Sequence, residues 1–367
     1  MSDPRLAKMA EIILHYSSNI QPGDWVLINT NLAALPLVNE VSRQIWAAGG
    51  RTSLHFESDV LNEIFLSTAT DETLSWLSPI EQALFEQVNI ILYLDAAEDT
   101  RALAGISPER MRLYQHGRGI LRQIRSRRSQ AEGLRWVYTQ YPCHALAQEA
   151  GMGLEAYQDF AYRALYADQS DPVRSWQAIQ QRQQTWVDWL KGRRQVILRG
   201  PNIDMQLSIE GRKFINGSGQ ENLPDGEIYT GPVETSANGW VRFSYPAIYS
   251  GRSVEGVELR FNNGKVVSAK AAQDEAFLVS MLESDAGARF IGEFAIGTNH
   301  AIRNFTHNIL YDEKMGGTIH LALGNGYPET GSLNLSSIHW DLICDMRRDS
   351  EIVVDGDPLC RNGEFQI

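Results

Sequence analysis

Residues 21–56 read QPGDWVLINTNLAALPLVNEVSRQIWAAGGRTSLHF, and this segment decides the fold of the first half of the chain. Gln21-Pro22-Gly23-Asp24 has turn chemistry, and Trp25 to Thr30 is an apolar run of strand length. Asn31 stands where it can cap a helix from about Ala34 to Ala48, which stops at Gly49-Gly50. Thr52 to Phe56 is a second strand. A strand, a helix and a strand in this order predict a parallel pair joined by a right-handed crossover.

The alternation extends both ways from that unit. Leu6, Met9, Ile12, Ile13 and Tyr16 recur at helical spacing between Arg5 and Ser17. Downstream, a helical pattern from Glu72 to Glu86, an apolar strand at Val88 to Leu94, a helix around Pro108 to His116 and a strand at Leu134 to Tyr138 follow. Such a pattern predicts an α/β N-terminal domain, an open parallel sheet with flanking helices. Between Gly117 and Arg128, the residues Arg118, Arg122, Arg125, Arg127 and Arg128 form a basic cluster in an acidic chain. A solvated helix face making ion pairs is the expectation, with a subunit contact or an anionic substrate group as the alternative. Helical periodicity returns over Leu154–Ala167 and Val173–Leu190 and closes at Lys191-Gly192-Arg193-Arg194. The expected domains are therefore residues 1–194 and 195–367.

After that boundary the character changes. Short strands at Val196–Arg199, Met205–Ile209, Ile228–Thr230, Val241–Ser244, Gly256–Phe261 and Lys265–Ala269 are separated by turn signals such as N-G, D-G and N-N-G. One helix, about Ala272 to Leu282, interrupts them. A strand-rich α+β C-terminal domain is expected.

The composition narrows the function. Lys+Arg of 33 against Asp+Glu of 45 gives a net charge of −12, which argues against nucleic acid or an anionic membrane as the main partner. Cys143, Cys344 and Cys360 are scattered and form no C-x-x-C, so neither a disulfide framework nor a zinc ribbon is indicated. The N-terminus has no signal-peptide core and no apolar run approaches membrane length, so a cytoplasmic location is expected.

Chemistry concentrates near the C-terminus. Alternation along a strand puts Ile338, Trp340 and Leu342 on one face and His339 with Asp341 on the other. Over Thr318–Leu323 it sets His320 opposite Ile319, Leu321 and Leu323, between small neighbours. A carboxylate on a buried strand needs a positive partner. An arginine would serve for Asp341, whereas a divalent metal would also use both histidines, because imidazole nitrogen and carboxylate oxygen are common zinc, cobalt or manganese ligands. A single strand histidine is more often a structural residue, and two such strands close together strengthen the metal reading.

A paired-metal site needs further carboxylates. Glu293, which alternates against Phe290, Phe294 and Ile296, is as anomalous as Asp341. Glu227 and Glu313 lie near turns, where simple solvation competes with a ligand role. The chain has no H-E-x-x-H and no G-x-S-x-G. Gly151-Met-Gly153-Leu-Glu-Ala156 follows a helical segment and fails the context test for dinucleotide binding. Metal-activated water is the hydrolytic route these residues support.

Taken together, Asn222-Leu-Pro-Asp-Gly-Glu227-Ile-Tyr-Thr-Gly-Pro232, Gly287-Ala-Arg-Phe-Ile-Gly-Glu293, Asp312-Glu313, Ile319-His320-Leu-Ala-Leu-Gly-Asn-Gly-Tyr327-Pro328 and Ser337-Ile-His339-Trp-Asp341 resemble the M29 family of thermophilic-type metalloaminopeptidases, the aminopeptidase T-like enzymes. The resemblance covers nearly the whole chain; the family's acidic pair before the 227 strand stands here as Gly226-Glu227. It implies a metal-dependent aminopeptidase that releases N-terminal amino acids from peptides. It also implies that Glu227, Glu293, Glu313, His320, His339 and Asp341 bind two divalent ions, zinc, cobalt, manganese or magnesium, with Glu293 as the bridge; the expected proton shuttle is Glu293 or a neighbouring carboxylate. Tyr327 matches the family's tyrosine beside the metals, placed to meet an oxyanion or a metal. A homodimer is implied too. The competing readings are a different metal-dependent amide hydrolase and a metal-binding scaffold without turnover.

Overall fold

The structure, a computed structural model, describes residues 3–249 and 251–367. The chain forms two compact units, Met1–Trp176 with Gly219–Leu223, and Gln177–Ser218 with Pro224–Ile367.

The first unit is built on a parallel sheet with strands in the order Arg51–Glu57, Trp25–Asn31, Ile90–Asp95, Arg135–Gln140 and Asn222–Leu223. Leu27 and Ile91 on one sheet face pack with Phe85, Leu121 and Ile124 from the helices Pro79–Gln87 and Pro108–Ala131. Helix Leu35–Ala47 packs on the strands Trp25–Asn31 and Arg51–Glu57. The strand-helix-strand reading of 21–56 is therefore realised, with the two strands parallel and in register from Trp25 and Arg51 onward.

Three local expectations are corrected. Asn31 makes no capping hydrogen bond; the helix starts at Leu35 with Pro36 in its first turn, where a missing N–H costs nothing. The pattern over Glu72–Glu86 is two helices, Asp71–Ser75 and Pro79–Gln87, because Pro79 starts a new helix. The helix expected around Pro108–His116 runs on to Ala131 through Gly117 and Gly119. Gly117 is required by packing: a Cβ there would lie 2.4 Å from the carbonyl oxygen of Ser75. The arginine cluster therefore lies on this helix. Arg127 pairs with Glu86 at 2.6 Å and Arg128 with Glu132 at 3.0 Å, while Arg125 covers the Trp136 ring at 4.2 Å.

The second unit holds two large antiparallel sheets and a two-stranded one, Ala247–Tyr249 with Arg252–Val254. The larger runs Lys265–Lys270, Glu258–Asn262, Asn238–Arg242, Ile203–Ser208, Gln195–Gly200, Glu351–Val354, Asp357–Arg361 and Glu364–Phe365. The strand expected at Val241–Ser244 is thus Asn238–Arg242. The smaller sheet runs His339–Asp345, Thr318–Gly324, Ile291–Gly297, Glu227–Thr230 and Ile215–Gly217. One of its faces, carrying Ile228, Phe294, Ile296, Ile319, Leu321, Leu323, Trp340 and Leu342, shares a single apolar core with Val196, Leu198, Met205, Val241 and Leu259 of the larger sheet. This core fixes the register of the four strands from His339–Asp345 to Glu227–Thr230, because a slip of one residue would turn an apolar row outward. Among the described residues no helix is long and apolar enough to cross a membrane.

Candidate metal centre

Register on the core face dictates what meets on the other face. Ala322 pairs with Glu293 on one side and Asp341 on the other; Ala295 pairs with His320; Gly297 pairs with Glu227; Gly324 pairs with His339. All four acidic or imidazole-bearing strands therefore project onto one side, and alanine or glycine stands at most of the paired positions, Ile343 beside His320 being the exception. That is why four strands of the sheet can converge their side chains on one spot.

Loops complete the placement. Gly226, at φ +123, precedes Glu227 in a backbone conformation that other residues rarely adopt, and a Cβ there would lie 2.7 Å from that of Asn299. Gly226 at this position, where the family resemblance leads one to expect an acidic residue, is thus a steric necessity of this turn. Gln183, buried on helix Pro172–Leu190, holds the strand from behind: its Nε2 lies 2.8 Å from the carbonyl oxygens of Gly217 and Glu227, and its Oε1 accepts from Thr298 Oγ1. Glu313 follows the short helix Ile309–Asp312, which turns its side chain toward His320.

The groups meet closely. His320 Nε2 lies 3.4 Å from Glu227 Oε2, 3.5 Å from Glu293 Oε1 and 4.0 Å from Asp341 Oδ1. His339 Nε2 lies 3.4 Å from Glu293 Oε2 and 3.3 Å from Asp341 Oδ2. Three trios of donor atoms, Glu227–Glu293–His320, Glu293–His339–Asp341 and Glu313–His320–Asp341, each fall within 4.8 Å of one another. All six residues singled out from the sequence are therefore brought together. Tyr327 stands at the edge, 36% exposed, its ring 5.3 Å from that of His339 and 5.4 Å from that of Tyr229.

Each imidazole is oriented from behind. His320 Nδ1 lies 3.1 Å from the carbonyl oxygen of Glu313, and His339 Nδ1 lies 2.8 Å from that of Asn325. A carbonyl can only accept, so Nδ1 carries the proton and Nε2 faces the carboxylates. Two acceptors thus point at one another unless positive charge stands between them, and a cation-binding histidine is held by this same device. Glu227 Oε2 and Asp341 Oδ1 are buried without a hydrogen-bond partner, an arrangement that is costly for carboxylate oxygens unless a cation meets them. The donor set and these unmatched oxygens fit divalent metal.

Proton affinities tell the same story. Burial opposes charge on His320, but Glu293, Glu227 and Asp341 outweigh it and raise the imidazole to about 9. For His339, burial is outweighed by Asp341 and Glu293, to about 10. Burial drives Glu227 and Glu313 upward against the pull of Lys314. Asp341 is buried as well, yet His339 and His320 hold it well below the usual carboxylate range. The cluster as a whole attracts positive charge.

Sequence reading missed Lys314, whose Nζ lies 2.5 Å from both Glu227 Oε1 and Glu313 Oε1, and Asp225, 3.8 Å from the same nitrogen. Their adjacency to Glu313 and Glu227 was the available signal.

A family model described as Peptidase_M29, thermophilic metalloprotease (M29), matches residues 2–365. The chain belongs to the M29 family. Among its relatives, Aminopeptidase 2 of Geobacillus stearothermophilus is 26% identical over 99% of this chain and 98% of that protein. Aminopeptidase T of Thermus thermophilus is 25% identical with the same coverage, 99% and 98%. The solved structure of wild-type AmpT from Thermus thermophilus matches with a TM-score of 0.83 at 23% identity, covering 99% of each chain, and so shares the M29 fold seen here.

Proposed function

We propose that Glu227, Glu293, Glu313, His320, His339 and Asp341 hold two divalent ions, zinc, cobalt, manganese or magnesium, and that this centre releases N-terminal amino acids from peptides. Membership of the M29 metalloprotease family, with relatives named as aminopeptidases along the full length, makes the chain a metal-dependent aminopeptidase. The observation that carries the paired-ion reading is Glu293, whose Oε1 faces His320 and whose Oε2 faces His339. A carboxylate with one oxygen toward each imidazole is the arrangement a bridging ligand needs.

Bound divalent ions would supply Lewis acidity, polarising the scissile carbonyl and lowering the pKa of an attacking water to about 7. The chain's own residues do the rest. The proton taken from that water and passed to the leaving amine is assigned to a carboxylate of the cluster, Glu293 or a neighbour that is less fully engaged by the ions. Tyr327 presents a phenol beside His339 and is the proposed donor to the carbonyl oxygen as that oxygen gains negative charge. The buried strands below exclude water from that side. The catalytic role is assigned to the domain expected at 195–367, which apart from Gly219–Leu223 lies within the second unit, and the domain expected at 1–194 is assigned as the α/β domain. A cytoplasmic homodimer is the proposed working form, and peptides are its substrate.

The test is a panel of aminoacyl anilides with and without chelator. Release of the chromogenic amine, lost on chelation and restored by divalent ion, is expected. Metal binding with hydrolysis only of cyclic or acylated amines would turn the assignment to another amide hydrolase, and metal binding without hydrolysis to a scaffold.

A further inference from the structure

Lys314 takes no part in the chemistry above, yet it is the fixed cation of the cluster. Its side chain is 2% exposed, and its Nζ donates to Glu227 Oε1 and Glu313 Oε1. An ammonium offers three donors and no acceptor, so these carboxylates and the nearby Asp225 are its natural partners. The lysine sorts the oxygens of Glu227. Oε1 is engaged by the ammonium, and Oε2, which has no hydrogen-bond partner, is left facing His320.

Charge gives the same picture from another side. Asp225, Glu227, Glu293, Glu313 and Asp341 are five carboxylates, and with Lys314 they sum to a formal −4, the complement of two divalent ions. Without the lysine the sum is −5. A metal ion cannot share the place where the ammonium sits, and the ammonium repels dications approaching the remaining oxygens.

We propose that Lys314 is a positioning residue: a tethered cation that keeps Glu227 and Glu313 in place when metal is absent and weakens the hold of the centre on divalent ions so that they exchange. The proposal rests on the metal reading of the same site. A lysine that merely filled space would, when replaced, weaken the metal-free and metal-loaded forms alike and leave ion affinity where it was. A tethered cation acts on the two forms differently, because metal substitutes for the charge it supplies.

The test compares the full chain, stripped of metal, with Lys314→Met, which keeps most of the volume and removes the charge. Thermal unfolding is followed with and without Co²⁺, and Co²⁺ is titrated by its visible absorption. The metal-free variant is expected to unfold at a lower temperature, to gain more than the parent on saturation with Co²⁺, and to bind Co²⁺ at least tenfold more tightly. Equal or weaker binding overturns the proposal. If Lys314→Met does not fold without metal, Lys314→Met/Glu313→Gln, which removes one charge of each sign, is expected to fold; a double variant no more stable than the single one overturns it. A parent protein that Co²⁺ neither stabilises nor colours would bring down the metal reading and this one with it. Co²⁺ binding by the parent without tightening in the variant would remove the role of Lys314 alone.

Discussion

The two faces of the small antiparallel sheet in the second unit carry the same strands and opposite chemistry. One face presents Phe294, Leu321, Trp340 and Leu342 to a continuous apolar core. The other presents Glu227, Glu293, His320, His339 and Asp341 to one another. Strand alternation alone separates them, so the apolar face sets the register and the polar face inherits its geometry. Stability and chemistry therefore sit on neighbouring residues of the same strand, and substitutions one position apart should fail in different ways.

The sharpest contrast lies within Ile338–Leu342. Asp341→Ala removes a proposed ligand, and chelator-sensitive hydrolysis of an aminoacyl anilide should fall by at least about a hundredfold in correctly folded protein, since even outer partners of metal ligands are worth about 10–100-fold. Its neighbour Trp340, 1% exposed, faces the core. Trp340→Ala should cost about 3–5 kcal/mol in denaturant unfolding while the folded fraction keeps its turnover. If Trp340→Ala lost turnover at unchanged stability, or Asp341→Ala lowered stability as much while the folded fraction kept its turnover, the division between faces would be wrong.

A smaller effect probes the edge of the polar face. Tyr327→Phe should lower kcat by about tenfold or more with little change in KM, because an oxyanion contact acts mainly in the transition state. A raised KM at constant kcat would instead place Tyr327 in ground-state binding.

Asp285 offers the mildest test, on the segment that leads into the His339 strand. Its carboxylate accepts from Ser337 N at 2.7 Å, Ser337 Oγ at 2.6 Å and Ser336 Oγ at 2.9 Å. Burial works against its charge, but the hydrogen bonds from Ser337, Ser336 and Gly287 win and lower it to about 2. A folded value below the unfolded one, about 3.9, stabilises above pH ~4 and is lost as pH falls through about 2. Asp285→Ala should cost about 1–2 kcal/mol at neutral pH and flatten that acid limb; an unchanged acid limb would show that the carboxylate does not hold the segment.

Much of this was open to reading from the sequence, for a definite reason. The alternation in Ser337–Cys344 and Thr318–Leu323 is local, so the faces of His320, His339 and Asp341 follow from backbone geometry without knowledge of the fold. The strand-helix-strand order at 21–56 is equally local. What stayed hidden depends on contacts made at a distance. Helix Pro108–Ala131 runs on through Gly117, and the close approach of Ser75 that requires a glycine there is such a contact. Lys314 reads as one more surface lysine until the turn at Ile309–Asp312 aims it between Glu227 and Glu313. Glu227 and Glu313, placed near turns, were candidates that simple solvation explained as well, and the family resemblance was what favoured a ligand role for them.

The central claim is that the polar face gathers cations, and the most direct measurement counts them. Metal-stripped protein titrated with a divalent ion, with bound equivalents and anilide hydrolysis followed in the same samples, should saturate at two equivalents per chain and recover activity as they fill. Full hydrolysis in protein that holds no metal, or no binding at any equivalent, would contradict the account.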